Sequence, residues 1–282
     1  TVIYWRLVHW LFIRIAVRRR KFNIMTASSH DSMDRPPSFL TKPDGARIAY
    51  HMTPGKAPGI VFLGGFASDM TGTKAMGLEA YAKQRGQAFL RFDYQGHGQS
   101  SGAFAEGTIG VWHSDALAAI DTLTEGPQIL VGSSMGGWMM LLTAAKRPDL
   151  IAGLVGIASA PDFTEDLMWP NFNEEIRETL LSDGLYQRPS EYSGEPYTIT
   201  MKLIKDGRDH LLLRDPLSID APVRLLHGMA DNDVPYQVSL KIAEHVTCPD
   251  LQVRLIKDGD HRLSTERDLA ILTVTIDAIL SG

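Results

Sequence analysis

Gln128-Ile129-Leu130-Val131-Gly132-Ser133-Ser134-Met135-Gly136-Gly137-Trp138 passes from a short apolar stretch into a helix-forming one through a G-x-S-x-G centred on Ser134. A strand that turns directly into a helix forces its central serine into strained backbone geometry. Glycines at 132 and 136 leave room for the two elements to approach closely. The Ser134 hydroxyl is then displayed above a sheet, beside the first amides of a helix expected over 135–146. Those amides have no intrahelical acceptor and lie at the positive helix end, so they favour a developing oxyanion. The pattern by itself is weak; the strand signal before it and the helix signal after it give it weight.

A serine needs a base and a group that orients the base. Both are found downstream. After a strand expected over 223–226 comes His227-Gly228-Met229-Ala230-Asp231-Asn232-Asp233-Val234-Pro235. After a strand over 251–256 comes Asp258-Gly259-Asp260-His261. The chain order Ser134, Asp231, His261 differs from the chymotrypsin and subtilisin orders. Each residue follows the carboxyl end of a predicted strand, where open α/β sheets bind ligands. Asp233 is a rival to Asp231 as orienting carboxylate, or else a solvated turn residue. His113 is expected in a helix, His227 at a strand end and His97 in a glycine-rich turn, all three structural, with a minor pocket role open to His97.

The chain has 282 residues, 44% hydrophobic and 22% charged, which suits one large core without repeats. A net charge of −5 with no basic face argues against nucleic acid. Cys248 is the single cysteine, so no internal disulfide forms and the residue reads as packing.

Residues 1–40 read as a separate N-terminal arm, disordered or non-native. Residues 2–17 are mostly apolar but carry Arg6, His9 and Arg14, and Arg18-Arg19-Arg20-Lys21 follows them. A secretory signal carries its charges before the apolar run, and a membrane span needs about 20 apolar residues. The readings are non-native or upstream-translated sequence with Met25 as the start, an inward-anchored segment, a mitochondrial presequence in 1–30, and an interfacial helix. The main expectation is a cytoplasmic protein. A mitochondrial matrix protein and membrane contact through the arm are the alternatives. Residues 26–38, with Pro36-Pro37, read as a linker.

From residue 47 strands and helices alternate. Strands are predicted over 47–52, 59–63, 88–92, 129–131, 153–158, 223–226 and 251–256, and helices over 74–85, 108–123, 135–146, 237–245 and 265–280. This predicts an α/β fold with a mainly parallel, doubly wound sheet. Residues 161–218 are too long for one crossover helix and read as a short helical cap over the strand ends. Phe163, Trp169, Phe172, Tyr186, Tyr192 and Tyr197 either wall a substrate pocket or pack the cap onto the core. Asp162, Glu165, Asp166, Glu174, Glu175 and Glu178 crowd the same half of the cap. If they line the mouth they should repel polyanions such as acyl coenzyme A; otherwise they solvate an outer face.

VGSSMGG, HGMADNDVP and GDH, carrying Ser134, Asp231 and His261, resemble the triad motifs of α/β-hydrolase-fold serine hydrolases. FLGGF at 62–66, TGTKA at 71–75, RFDYQGHGQSSG at 91–102 and RLLHGMADNDVP at 224–235 are most similar to the palmitoyl-protein thioesterase branch, also called mycophenolic acid acyl-glucuronide esterases. The resemblance covers residues 41–282, the hydrolase domain, and is weakest in the cap. It implies cleavage of acyl thioesters and acyl-glucuronide esters, and it favours Asp231 over Asp233. Gly64 stands where many hydrolases have His, and Gln95 where many have Arg.

On this reading the Ser134 hydroxyl attacks, His261 takes and returns the proton, and Asp231 holds the imidazole tautomer. The N–H groups of Met135 and Phe66 form the oxyanion hole. The substrate is a small-molecule ester or thioester, or an acylated protein. A general carboxylesterase of small neutral esters and a noncatalytic module on the same fold are the alternatives. No cofactor is expected: Lys74 precedes Ala75 where a phosphate loop needs a hydroxyl. No metal is expected, since HExxH and paired cysteines are absent and the Asp231-Asn232-Asp233 run lacks the glycine and distal glutamate of a calcium loop.

Overall fold

A computed structural model describes residues 35–188 and 196–281. Eight strands form one sheet: β1 (Ser38–Thr41), β2 (Arg47–Thr53), β3 (Lys56–Leu63), β4 (Gln87–Phe92), β5 (Gln128–Ser133), β6 (Ile151–Ile157), β9 (Val223–Gly228) and β10 (Leu251–Ile256). Their order is β1-β2-β4-β3-β5-β6-β9-β10. β1 and β2 pair antiparallel at one edge, and every pairing from β4 to β10 is parallel.

The two-residue period of the strands divides the core. Ile60, Phe62, Ile129 and Val131 face one way and pack against α1 (Thr73–Arg85) and α8 (Glu266–Ser281). Val61, Leu63 and Leu130 face the other way, toward α2 (Ile109–Leu123), α3 (Met135–Lys146) and α7 (Gln237–His245). All six residues of β5 are buried, which is why a strand covered on both faces reads as a continuous run rather than an alternating one.

The connection from β6 to β9 forms the cap. It holds one π-helical turn (Thr164–Met168), α4 (Trp169–Asn171), α5 (Glu174–Asp183), β7 (Leu185–Arg188), β8 (Tyr197–Thr200) and α6 (Met201–Arg208). β7 and β8 pair antiparallel as a separate ribbon, so the expected helical cap is a mixed one. Leu180, Ile199, Met201 and Ile204 give it a small core of its own. Asn173 and Thr200 cap their helices with side-chain oxygens, accepting from Ile176 and Leu203 at 2.8 and 3.0 Å.

β1 crosses the boundary drawn at residue 40: Ser38 pairs with Tyr50 and Thr41 with Arg47. Its four residues carry too little pattern to be read as a strand. Just beyond it Lys42 donates to Asp115 at 2.8 Å, and the amide and side chain of Gln95 reach the same carboxylate at 2.9 Å each. Lys42 thus supplies the cation for buried Asp115 where Gln95 stands in place of Arg. Residues 1–34, and with them the readings of the arm, lie outside the described residues, as does Tyr192. No helix among the described residues is long and apolar enough to cross a membrane.

Candidate active site

Ser134 sits between β5 and α3 with φ 53° and ψ −117°, a conformation that L side chains rarely adopt. Its N–H donates to Ile157 at 2.9 Å, and its carbonyl accepts from Gly137 and Ala160 at 2.8 and 3.0 Å. These bonds hold the strain. A Cβ at Gly132 would run into the carbonyl of Gly136, and one at Gly136 into the carbonyl of Leu63.

The carboxyl ends of β5, β9 and β10 bring the three predicted residues together. Ser134 Oγ lies 3.1 Å from His261 Nε2, and His261 Nδ1 lies 2.8 Å from Asp231 Oδ2. The Asp231 side chain is fully buried, while His261 keeps a fifth of its side chain exposed. Asp231 Oδ1 accepts from the amides of Asp233 and Val234 at 2.9 and 2.8 Å. Burial alone would raise the Asp231 pKa, but hydrogen bonds from His227, His261 and the Val234 amide overcome it and hold the carboxyl far below the usual carboxylate range.

His227 is the partner that sequence did not point to. Its Nε2 lies 3.2 Å from Asp231 Oδ2 and 2.9 Å from the Val234 carbonyl, and its Nδ1 lies 2.7 Å from Ser239 Oγ. A carbonyl and a carboxylate only accept, so the proton is on Nε2 and the Ser239 hydroxyl donates to Nδ1. The H-G-x-x-D spacing was its one trace in the sequence. One atom each of Asp231, Asp233 and His261 lies within 4.8 Å of the others. Both Asp231 oxygens are already engaged by hydrogen bonds, which leaves that trio poorly suited to a cation.

The Met135 N–H is the first of α3, and no side chain caps that end. Phe66 lies in the loop after β3, whose Gly65 has its Cβ position 3.5 Å from Ser134 Cβ. Phe66 and Met135 line a cavity of about 980 Å³ together with Ser134 and His261.

One side of this cavity is apolar and lies under the cap, with Phe163, Leu167, Met168, Phe172, Tyr197 and Ile199. Trp169 does not line it and instead packs against the guanidinium groups of Arg177 and Arg208. The other side is polar, running past Ser68, Asp69 and Lys74 to Arg262 and Ser264. The Lys74 ammonium is anchored on the Arg262 carbonyl, and burial lowers its pKa to about 8.

The acidic residues of the cap do not line the cavity. Asp162 is buried and accepts from Leu212, Leu213 and Arg214, which clasps the two ends of the insertion together. Asp166 bonds Arg214 and Lys241, and Glu165 bonds Arg208. Glu174, Glu175 and Glu178 are exposed on α5. The basic partners lie 43 or more positions along the chain, so an acidic mouth read from local sequence is overturned.

The family profile for the alpha/beta hydrolase fold matches residues 58–191. The mitochondrial palmitoyl-protein thioesterase ABHD10 of cattle is 43% identical over 247 residues, 86% of this chain and 79% of the relative. The chain belongs to the α/β-hydrolase family. This α/β-hydrolase is accordingly an enzyme of the esterase and thioesterase type. Among solved structures, alpha/beta hydrolase domain-containing protein 10 from mouse aligns with a TM-score of 0.81 at 42% identity, covering 88% of this chain and 99% of that one. A putative hydrolase from Agrobacterium vitis S4 gives 0.81 at 40% identity, with coverage of 87% and 99%.

Proposed function

We propose that this α/β-hydrolase cleaves long-chain acyl thioesters and esters, acylated cysteines of proteins included, with Ser134 as nucleophile, His261 as base and Asp231 as its orienting partner. The observation that carries the reading is the unbroken line of contacts from Asp231 through His261 to Ser134, 2.8 and 3.1 Å, ending in a cavity lined by apolar cap residues. Ser134 Oγ attacks the acyl carbon as its proton passes to His261 Nε2. The negative charge on the former carbonyl oxygen is met by the N–H groups of Phe66 and Met135. Collapse expels the thiolate or alkoxide, which takes the proton from His261. Water then repeats the sequence on the acyl-serine and releases the carboxylic acid. Asp231 keeps the Nδ1–H tautomer and stabilises the imidazolium.

The relatives' shared name, palmitoyl-protein thioesterase, supports a long acyl chain, and the cap side of the cavity is the apolar wall such a chain needs. Their mitochondrial designation and the acid-free, arginine-rich residues 1–30 support a mitochondrial setting over the cytoplasmic one. Fusing residues 1–30 to a fluorescent protein tests that setting: diffuse cytoplasmic signal counts against it.

A fluorophosphonate probe tests the triad. Wild type and Ser133→Ala should be labelled and Ser134→Ala should not. Hydrolysis of acyl thioesters, oxygen esters and acyl glucuronides of graded chain length then fixes the leaving group. A preference confined to short neutral esters would favour the general carboxylesterase instead.

A further inference from the structure

The loop that carries Phe66 is held by a histidine outside the triad. His97 lies in the turn after β4, between Gly96 and Gly98, both at positive φ (74° and 47°). A Cβ on Gly96 would come within 2.7 Å of the Phe104 backbone, and one on Gly98 would run into the Asp93 carboxylate. The turn is closed by His97 N–H donating to the Tyr94 carbonyl at 2.9 Å and Ser100 N–H to the His97 carbonyl at 3.1 Å. It delivers the imidazole inward, where the residue is 4% exposed.

The ring has two polar partners of opposite kind. His97 Nε2 accepts from the Ala67 N–H at 3.1 Å, and Nδ1 lies 3.2 Å from the Gln95 carbonyl, which can only accept. The partners therefore fix the Nδ1–H tautomer. Trp112 Nε1 donates to the same Gln95 carbonyl at 3.1 Å and locks that acceptor. Tyr94, Phe104 and Trp112 meet the ring edge-on at centroid distances of 5.8, 5.1 and 5.2 Å, so no charged group is in that set of ring contacts. Burial lowers its pKa to about 4, with the Gln95 carbonyl opposing, and the ring stays an acceptor at neutral pH.

Ala67 is itself in the left-handed region at φ 53°, a conformation the loop does not favour unaided. Its N–H belongs to the peptide that follows Phe66, so holding that plane restrains the backbone of the residue whose N–H is read as an oxyanion donor. We propose that His97 is a positioning residue for the oxyanion loop, holding the Ala67 amide so that the Phe66 N–H is aimed at the developing oxyanion. The inference rests on the triad reading above, which the Ser134→Ala labelling tests separately.

Two measurements test it. First, nitrogen NMR of the wild-type protein should show His97 as the neutral Nδ1–H tautomer from about pH 5 to pH 8, with a coupling across the hydrogen bond to the Ala67 amide. A titrating ring, or the Nε2–H tautomer, overturns the proposal without any variant having to fold. Second, His97→Leu should lower kcat about 10- to 100-fold with KM held within about threefold, and should weaken an alkyl trifluoromethyl ketone by the same factor as kcat. His97→Gln, whose Oε1 can accept from Ala67, should recover most of both. Equal losses in the two variants, or a folded His97→Leu with kcat within about twofold of wild type, overturn the positioning role.

Discussion

At Asp231 two carboxyl oxygens serve four partners, and this division of labour supports Asp231 over Asp233 as the orienting carboxylate. The amides of Asp233 and Val234 fix Oδ1, leaving Oδ2 to His261 and His227. Asp231→Asn presents an amide that cannot accept in the same way, so the imidazole takes the wrong tautomer. Turnover should fall by about 10⁴, against less than about tenfold for Asp233→Asn. Burst kinetics with a chromogenic ester reads both, and the reverse ranking would move the orienting role to Asp233. His227→Leu keeps the volume and removes one donor to buried Asp231. A fall in kcat of about tenfold is expected, whereas an unchanged kcat in a folded variant would make His227 a purely structural core residue. Ser134 and His261 were legible from spacing because each is tied to a strand end, whereas the choice of Asp231 over Asp233 came from the family resemblance. His97 and His227 were not legible, since their partners, Ala67 and Asp231 Oδ2, are set by how loops fold back.

Among the elements, the β5–α3 elbow and the cap make different demands. Gly136→Ala would drive a Cβ into the Leu63 carbonyl, a rigid backbone group that cannot swing aside. The expected outcome is loss of probe labelling together with a clear fall in melting temperature; Gly126→Ala, at φ 66° with open space around it, should cost only about 1 kcal/mol. Normal labelling of a stable Gly136→Ala protein would mean that the elbow is less tightly packed than described. On the proposed reading the cap sets the acyl-chain length. Met168→Trp narrows the apolar side of the cavity and should displace about two methylenes of a palmitoyl chain. Since each buried methylene is worth about 0.8 kcal/mol, kcat/KM should drop roughly tenfold for palmitoyl substrates and stay near wild type for butyryl ones. Equal effects on both chains would place the acyl group elsewhere. The strands of the main sheet from β2 onward were readable because they are six to eight residues long and most carry a continuous or alternating apolar run. The β7–β8 ribbon escaped notice because its strands are four residues each and partly exposed.

For the whole molecule, two buried histidines link stability to pH. Burial lowers the pKa of both His97 and His113 from 6.5 to about 4, and at His113 the nearby Lys146 and His210 add to it. In the unfolded chain each binds a proton near pH 6.5, whereas the folded protein binds it only near pH 4. Stability is thus full above pH 6.5 and declines as pH falls toward 4. The slope is roughly 1.4 kcal/mol per pH unit for each site. Urea unfolding between those limits should show it, and His113→Asn should lessen it; a flat profile would mean that the rings are protonated without unfolding. Asp231 acts in the same sense at lower pH, because its depressed pKa adds stability that disappears only in strong acid.

The sequence by itself determined the main sheet from β2 onward, its mainly parallel winding and the chain order of Ser134, Asp231 and His261. These depend on local signals: an apolar period, a glycine that admits a close approach, a polar residue just past a strand. Tertiary structure alone decided what surrounds them. Lys42 reaches Asp115 across 73 positions, Ala67 meets His97 across 30, and Asp162 closes the cap onto Leu212 and Leu213 across 50 and 51. A buried carboxylate or imidazole must find a partner wherever the fold brings one. The choice is made by desolvation in three dimensions, which no spacing along the chain records.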